Sequence, residues 1–79
     1  HYVTQMFYEA LTEFGVVVTK FTQSRKVPDA LLKIGYCNYE LNRRDAARTS
    51  LKRVQAEFPE TTAARMAGQR LERMDEEGV

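Results

Sequence analysis

The stretch that decides the fold runs over Val27–Pro59 and reads VPDALLKIGYCNYELNRRDAARTSLKRVQAEFP. Its apolar residues recur every three or four positions, which is the period of an amphipathic helix. Asn42 interrupts this pattern, and Asn tolerates the left-handed backbone conformation that ends many helices. Pro59 then stops the second half of the pattern, because it cannot continue a helix. The stretch therefore predicts two antiparallel helices, over about 25–41 and 44–58, joined by a tight turn.

The same helical spacing continues on both sides of this hairpin. Before it, apolar residues separated by three or four positions predict a helix over about 7–22. After Pro59, Thr61 or Thr62 is a suitable N-cap for a last helix over about 61–75. The chain is therefore predicted to be all-α, with four helices joined by short connections.

An internal repeat relates the two halves of the chain. At an offset of 37 residues, Val17 lies over Val54, Phe21 over Phe58 and Ala30 over Ala67. The matched positions are mostly small or apolar, as expected if the same surface is buried twice. A plain four-helix bundle is the alternative, but it has no reason to repeat, so the offset favours a solenoid of helical hairpins.

Composition excludes several classes of function. Twelve Lys and Arg against eleven Asp and Glu leave a net charge of +1, so we expect no nucleic-acid binding. One Cys and one His form neither an intramolecular disulfide nor a zinc site. No apolar run, such as Val16–Val18, approaches 18 residues, and no membrane insertion is expected. Glu40 and Asp45 have no accompanying nucleophile, base or phosphate-binding loop, so we expect no catalytic residues, metal or cofactor, and the protein is predicted not to be an enzyme.

Residues of the central hairpin resemble the tetratricopeptide (TPR) pattern of large apolar, apolar-Gly, Ala, large apolar, small apolar and Pro. They are Leu31, Ile34, Gly35, Ala47, Leu51, Val54 and Pro59. The resemblance implies a TPR helical-hairpin solenoid, with antiparallel helix pairs and a C-terminal capping helix. Residues 1–79 would be a single domain fragment, made of the second helix of a first repeat (about 7–22), a full repeat (about 25–59) and a capping helix (about 61–75). Asn38 and Thr22 depart from the pattern, which prefers Tyr and Pro there.

Two segments carry a narrower resemblance. FTQSRKVPDALLKIGYC, residues 21–37, and FPETTAAR, residues 58–65, are similar to the C-terminal TPR domain of the periplasmic Tol–Pal system proteins (the YbgF/CpoB family). This resemblance implies a periplasmic, non-enzymatic module that binds TolA and coordinates outer-membrane constriction with peptidoglycan synthesis in cell division. It also implies a longer parent protein with an N-terminal coiled coil.

The resemblance further implies that the first helix of each pair lines a concave groove that binds the partner. The groove positions are Asp29, Leu32, Tyr36, Tyr39, Glu40, Gln69 and Arg73. Tyrosine is enriched at the energetic centres of interfaces, although one or both rings would also suit packing against the next repeat. Cys37 is interpreted as a small buried thiol, the alternative being an intermolecular disulfide.

The start of the chain suggests a second function. His1–Gln5 resembles the tail of an earlier helix whose beginning is absent, and Phe7, Phe14 and Phe21 would normally pack against that helix. We therefore expect these three phenylalanines to form an exposed self-association face. They would produce a homo-oligomer or a helix-swapped dimer, and the alternative function is a self-assembling scaffold.

Overall fold

The computed structural model describes residues 1–78, which form four α-helices. These are α1 (Tyr2–Lys20), α2 (Val27–Glu40), α3 (Arg44–Glu57) and α4 (Thr62–Glu76). Helix α1 packs on α2, α2 packs on both α3 and α4, and α3 packs on α4. The predicted all-α arrangement of helical hairpins is confirmed. Val79, the last residue of the predicted domain, lies outside the described residues.

The two connections around α3 form where the sequence places them. Asn42 has a φ of 62°, and the N–H of Arg43 donates to the carbonyl of Asn38 at 2.8 Å. This left-handed residue reverses the chain between α2 and α3. Of the two candidate caps for α4, Thr61 serves, since its Oγ1 accepts a hydrogen bond from the N–H of Ala64 at 3.1 Å.

The core is centred on the contact between α2, α3 and α4. The side chains that are 0% exposed are Ala47, Leu51, Val54, Ala67 and Met74. Gly35 brings the α2 backbone onto this core, because a Cβ placed there would lie 2.7 Å from Cδ2 of Leu51. The glycine is therefore required for the close approach of α2 to α3.

The structure corrects the prediction for the start of the chain. Helix α1 begins at Tyr2 rather than near residue 7, and His1 is its N-cap, accepting from the N–H of Val3 at 3.3 Å. The interpretation of His1–Gln5 as the tail of an earlier helix is therefore wrong. Neither Pro nor Gly interrupts residues 2–14, so the helix continues without a break.

The three phenylalanines do not form one exposed face. Phe14 packs against the core, Phe7 is half-buried, and only Phe21 is largely exposed, at 59%. The reason is that α2 packs against the side of α1 that carries Phe14. The exposed apolar residues near the start of α1 are instead Tyr2, Val3, Met6 and Tyr8.

Candidate functional site

Tyrosine and arginine side chains meet where α2 and α4 lie side by side. The guanidinium carbon of Arg70, on α4, lies 4.3 Å from the ring centroid of Tyr36 and 5.0 Å from that of Tyr39, both on α2. Arg44, at the start of α3, lies 5.0 Å from the Tyr39 centroid. These distances are within the range of cation–π attraction. Both rings also pack against the core, so their positions are constrained from two sides.

A carboxylate at the C-cap of α4 completes this arrangement. The hydroxyl of Tyr39 donates to Glu77, at 2.6 Å from Oε1 and 2.8 Å from Oε2. Arg44 and Arg73 each place a guanidinium nitrogen 3.6 Å from the same carboxylate. The hydrogen bond from Tyr39 lowers the pKa of Glu77, and the neighbouring arginines lower it further. We call Tyr36, Tyr39, Arg44, Arg70 and Arg73 the Tyr–Arg cluster.

The Tyr–Arg cluster borders a surface depression of about 150 Å³. Its walls are Tyr36, Met66, Gln69, Arg70 and Arg73. The wall therefore combines an aromatic ring, a thioether that is 38% exposed, an amide and two guanidinium groups. Such a surface can accept an apolar side chain and an acidic or carbonyl group of the same ligand.

The predicted groove residues are only partly brought together. Tyr36, Gln69 and Arg73 line the depression, and Tyr39 lies beside it through its contact with Arg70. Glu40 is exposed on α2 without a described contact to α4. Their role in binding remains a prediction.

Two groove positions lie elsewhere. Asp29 lies at the other end of α2, where its carboxylate pairs with Lys33 at 3.0 Å, and it lines a groove toward α1. Leu32 is 3% exposed and belongs to the core, so its assignment to the exposed groove is wrong. The packing of α2 against its neighbouring helices encloses Leu32 and leaves Tyr36 half-buried.

Sequence reasoning missed several residues of this surface. They are Arg44, Met66, Arg70 and Glu77. A signal for three of them was present, because Met66 and Arg70 on α4 and Glu77 at its C-cap continue the helical spacing of Gln69 and Arg73. Arg44 had no such signal, since its contact with Tyr39 depends on the reversal of the chain at Asn42.

Cys37 is 7% exposed and has no disulfide partner in the described chain. Burial raises the pKa of its thiol, and the negative charge of Glu40 raises it further. The interpretation as a buried thiol is confirmed. Among residues 1–78, no three His, Cys, Asp or Glu side chains form a group suited to holding a metal ion, and no helix has the length and apolar character needed to cross a bilayer.

Comparison with known proteins places the central hairpin in a family. A family model described as a tetratricopeptide repeat matches residues 29–61, which span nearly all of α2 and the whole of α3. Neither the curated proteins nor the solved structures gave a significant match. Repeats of this kind generally mediate protein–protein interaction and are typically non-catalytic. The hairpin of α2 and α3 is therefore a tetratricopeptide repeat.

Proposed function

We propose that the chain is a non-enzymatic protein-binding module and that the α2–α4 face binds a segment of the partner. The observation that supports this proposal most directly is the position of Arg70. Its guanidinium lies over both Tyr36 and Tyr39 beside an open depression. Aromatic rings and a guanidinium held in place offer contact area that loses little side-chain entropy on binding.

Charge on this face favours an acidic partner segment. The Tyr–Arg cluster holds three guanidinium groups, and the carboxylate described in contact with it is that of Glu77. The cluster therefore keeps an excess of positive charge, although the whole chain carries only +1. Complementary charge steers association and selects among partners.

We further propose that the partner is TolA, that the protein acts in the periplasm, and that binding contributes to coordinating outer-membrane constriction with peptidoglycan synthesis during division. Support comes from the resemblance of residues 21–37 and 58–65 to Tol–Pal system proteins. The excess positive charge of the Tyr–Arg cluster is a separate property and would suit any acidic partner.

A calorimetric titration with the periplasmic part of TolA, at low and high salt, tests this proposal. The informative variant is Arg70→Gln with Arg73→Gln, because Tyr36 and Tyr39 also pack against the core and their removal would disturb folding. We expect saturable binding that this variant weakens at least about tenfold, equivalent to about 1.4 kcal/mol. High salt should weaken binding by the wild type more than binding by the variant.

The matched control removes two positive charges from the outer side of α3. It is Lys52→Gln with Arg53→Gln, at exposed positions, and it should bind like the wild type. Equal losses in both double variants would mean that net charge, rather than the α2–α4 face, governs binding. An absence of binding heat with TolA would contradict TolA as the partner. If Arg70→Gln with Arg73→Gln binds TolA as tightly as the wild type, the α2–α4 face is not the binding site.

A self-assembling scaffold is the second candidate, favoured by the exposure of Tyr2, Val3 and Met6 at 77%, 49% and 51%. These side chains form an apolar end of α1. If they drive assembly, sedimentation velocity should show concentration-dependent association that Met6→Lys reduces. A monomer at all concentrations would exclude this function.

A further inference from the structure

The 37-residue repeat allows the two halves of the fold to be compared position by position. At this offset, α1 and α2 correspond to α3 and α4. In the second half, Leu51 and Val54 are 0% exposed. Their counterparts in the first half, Phe14 and Val17, are only half-buried. Equivalent positions on equivalent helices therefore differ in how far they are covered.

Helix α2 causes this difference, because it covers the groove between α3 and α4. Gly35 lets the α2 backbone approach Leu51, with 2.7 Å between a Cβ built at residue 35 and Cδ2 of Leu51. The rings of Tyr36 and Tyr39 lie against Arg70. The second half of the fold thus shows which kind of helix fills such a groove and which contacts it makes.

The corresponding position on α1 and α2 is open in the described chain. A groove of about 320 Å³ lies there, lined by Phe14, Val17, Lys26, Asp29, Ala30 and Lys33. Lys33 corresponds to Arg70 at the 37-residue offset, and its ammonium lies 5.6 Å from the Phe14 centroid. The groove therefore presents a similar apolar floor and a cation at the equivalent position. Its edge differs in charge, because the ammonium of Lys33 pairs with the carboxylate of Asp29 at 3.0 Å, where the second half has Met66.

We infer that the α1–α2 groove binds one amphipathic helix of the α2 type, supplied by a partner polypeptide. The internal repeat specifies the chemistry of this helix. It carries a Gly or another small residue opposite Phe14, apolar residues toward Val17, and an aromatic ring within reach of the ammonium of Lys33. The ammonium of Lys33 can hold such a ring by cation–π attraction.

A second copy of this chain does not meet these requirements through its own last helix. At the position of Gly35, α4 carries Glu72, an exposed residue. Seating α4 in the groove would bury a carboxylate against Phe14, which is costly without a partner charge. The α1–α2 groove is also separate from the Tyr–Arg cluster, so the inference does not depend on the proposed function.

Fluorescence anisotropy with synthetic peptides tests the inference. The probe is a fluorescein-labelled peptide of residues 24–42 with Cys37→Ser, which reproduces α2. We expect saturable binding to the 79-residue chain with a Kd below about 100 µM, since the peptide must fold as it binds. The same peptide with Gly35→Leu should bind at least about tenfold more weakly, because the added side chain collides with the groove floor. A peptide of residues 61–78, which reproduces α4, is the second control and should not bind.

Two variants of neighbouring residues locate the binding. Val17→Lys places a charge in the groove, and Val16→Lys places the same charge on the outer side of α1, where Val16 is 39% exposed. We expect the first to abolish binding of the α2 peptide and the second to preserve it, with helicity checked by circular dichroism. If Val17→Lys does not fold, the comparison of the two peptides at residue 35 decides alone.

Three results would overturn the inference. The first is absence of saturable binding by the α2 peptide. The second is equal affinity of the Gly35 and Gly35→Leu peptides, or binding that survives in folded Val17→Lys. The third is a dimer of the chain that Val17→Lys abolishes and Val16→Lys does not, which would assign the groove to a second copy.

Discussion

Gly35→Ala gives the sharpest test of how the hairpin is packed. The added Cβ would lie 2.7 Å from Cδ2 and 2.8 Å from Cγ of Leu51, whereas carbon atoms in contact prefer about 3.5–4.0 Å. Leu51 is 0% exposed, so its side chain has no free space to enter, and α2 and α3 must separate. Overpacking of this kind costs about 1–3 kcal/mol, and the better helix propensity of Ala returns about 1 kcal/mol. The difference between the two terms is about 0–2 kcal/mol. We expect a value in its upper half, a net loss of about 1–2 kcal/mol in the free energy of unfolding, because the clash involves the enclosed Cγ of Leu51.

Urea and thermal unfolding followed by circular dichroism measure this loss, which corresponds to a fall in Tm of roughly 5–15 °C for a domain of this size. Gly15→Ala is the matched control, because nothing lies within 4 Å of its added Cβ. It should stabilise the helix by about 0.5–1 kcal/mol.

A double-mutant cycle identifies the cause. Leu51→Val removes atoms from the site of collision, so Gly35→Ala should cost at least about 0.5 kcal/mol less in that background. The reasoning is refuted if Gly35→Ala is as stable as the wild type. It is also refuted if the cost is unchanged by Leu51→Val, because the loss would then not arise from this contact.

Three further predictions concern a helix cap, a carboxylate and a thiol. Thr61→Ala removes the cap of α4 and should cost about 1 kcal/mol in urea unfolding, whereas exposed Thr62→Ala should change stability by less than about 0.5 kcal/mol; equal effects would contradict the capping role. The hydrogen bond from Tyr39 lowers the pKa of Glu77, so its carboxylate stabilises the fold at neutral pH, and this contribution is lost as the pH falls below the ordinary value toward the lowered one. The Tm of the wild type should therefore fall more than that of Glu77→Gln between about pH 5 and pH 3, and parallel curves would contradict this. Because burial raises the pKa of the Cys37 thiol, it should react with Ellman's reagent much more slowly in the native protein than in urea, and equal rates would show that the thiol is accessible.

The central hairpin could be predicted because its signals are local. The period of the apolar residues, the left-handed turn at Asn42 and the stop before Pro59 each act over a few residues, and the structure places α2 and α3 accordingly. The contact between Gly35 and Leu51 could be predicted for the same reason, since one tight turn joins the two helices that carry them.

The candidate site could be predicted only in part. Tyr36, Tyr39, Gln69 and Arg73 were found from the spacing of the TPR pattern, whereas Leu32 was misplaced because one helix carries apolar residues on two sides. Spacing shows which residues share a side of a helix, but it does not show which side a later helix covers. The way α2 packs among its neighbouring helices makes that choice, and it buries Leu32 while leaving Tyr36 half-exposed.

The sequence alone therefore determined the all-α class, the hairpin of α2 and α3, and the internal repeat. Only the tertiary structure decided that Tyr39 contacts Glu77, 38 residues away, that Arg70 lies over two rings, and that Phe14 is drawn into the core while a groove stays open beside it. The physical reason is the distance along the chain over which each kind of interaction acts. Helix propensity, capping and turns depend on neighbours along the chain, whereas burial and charge contacts depend on which helix surfaces come together after the chain has folded back.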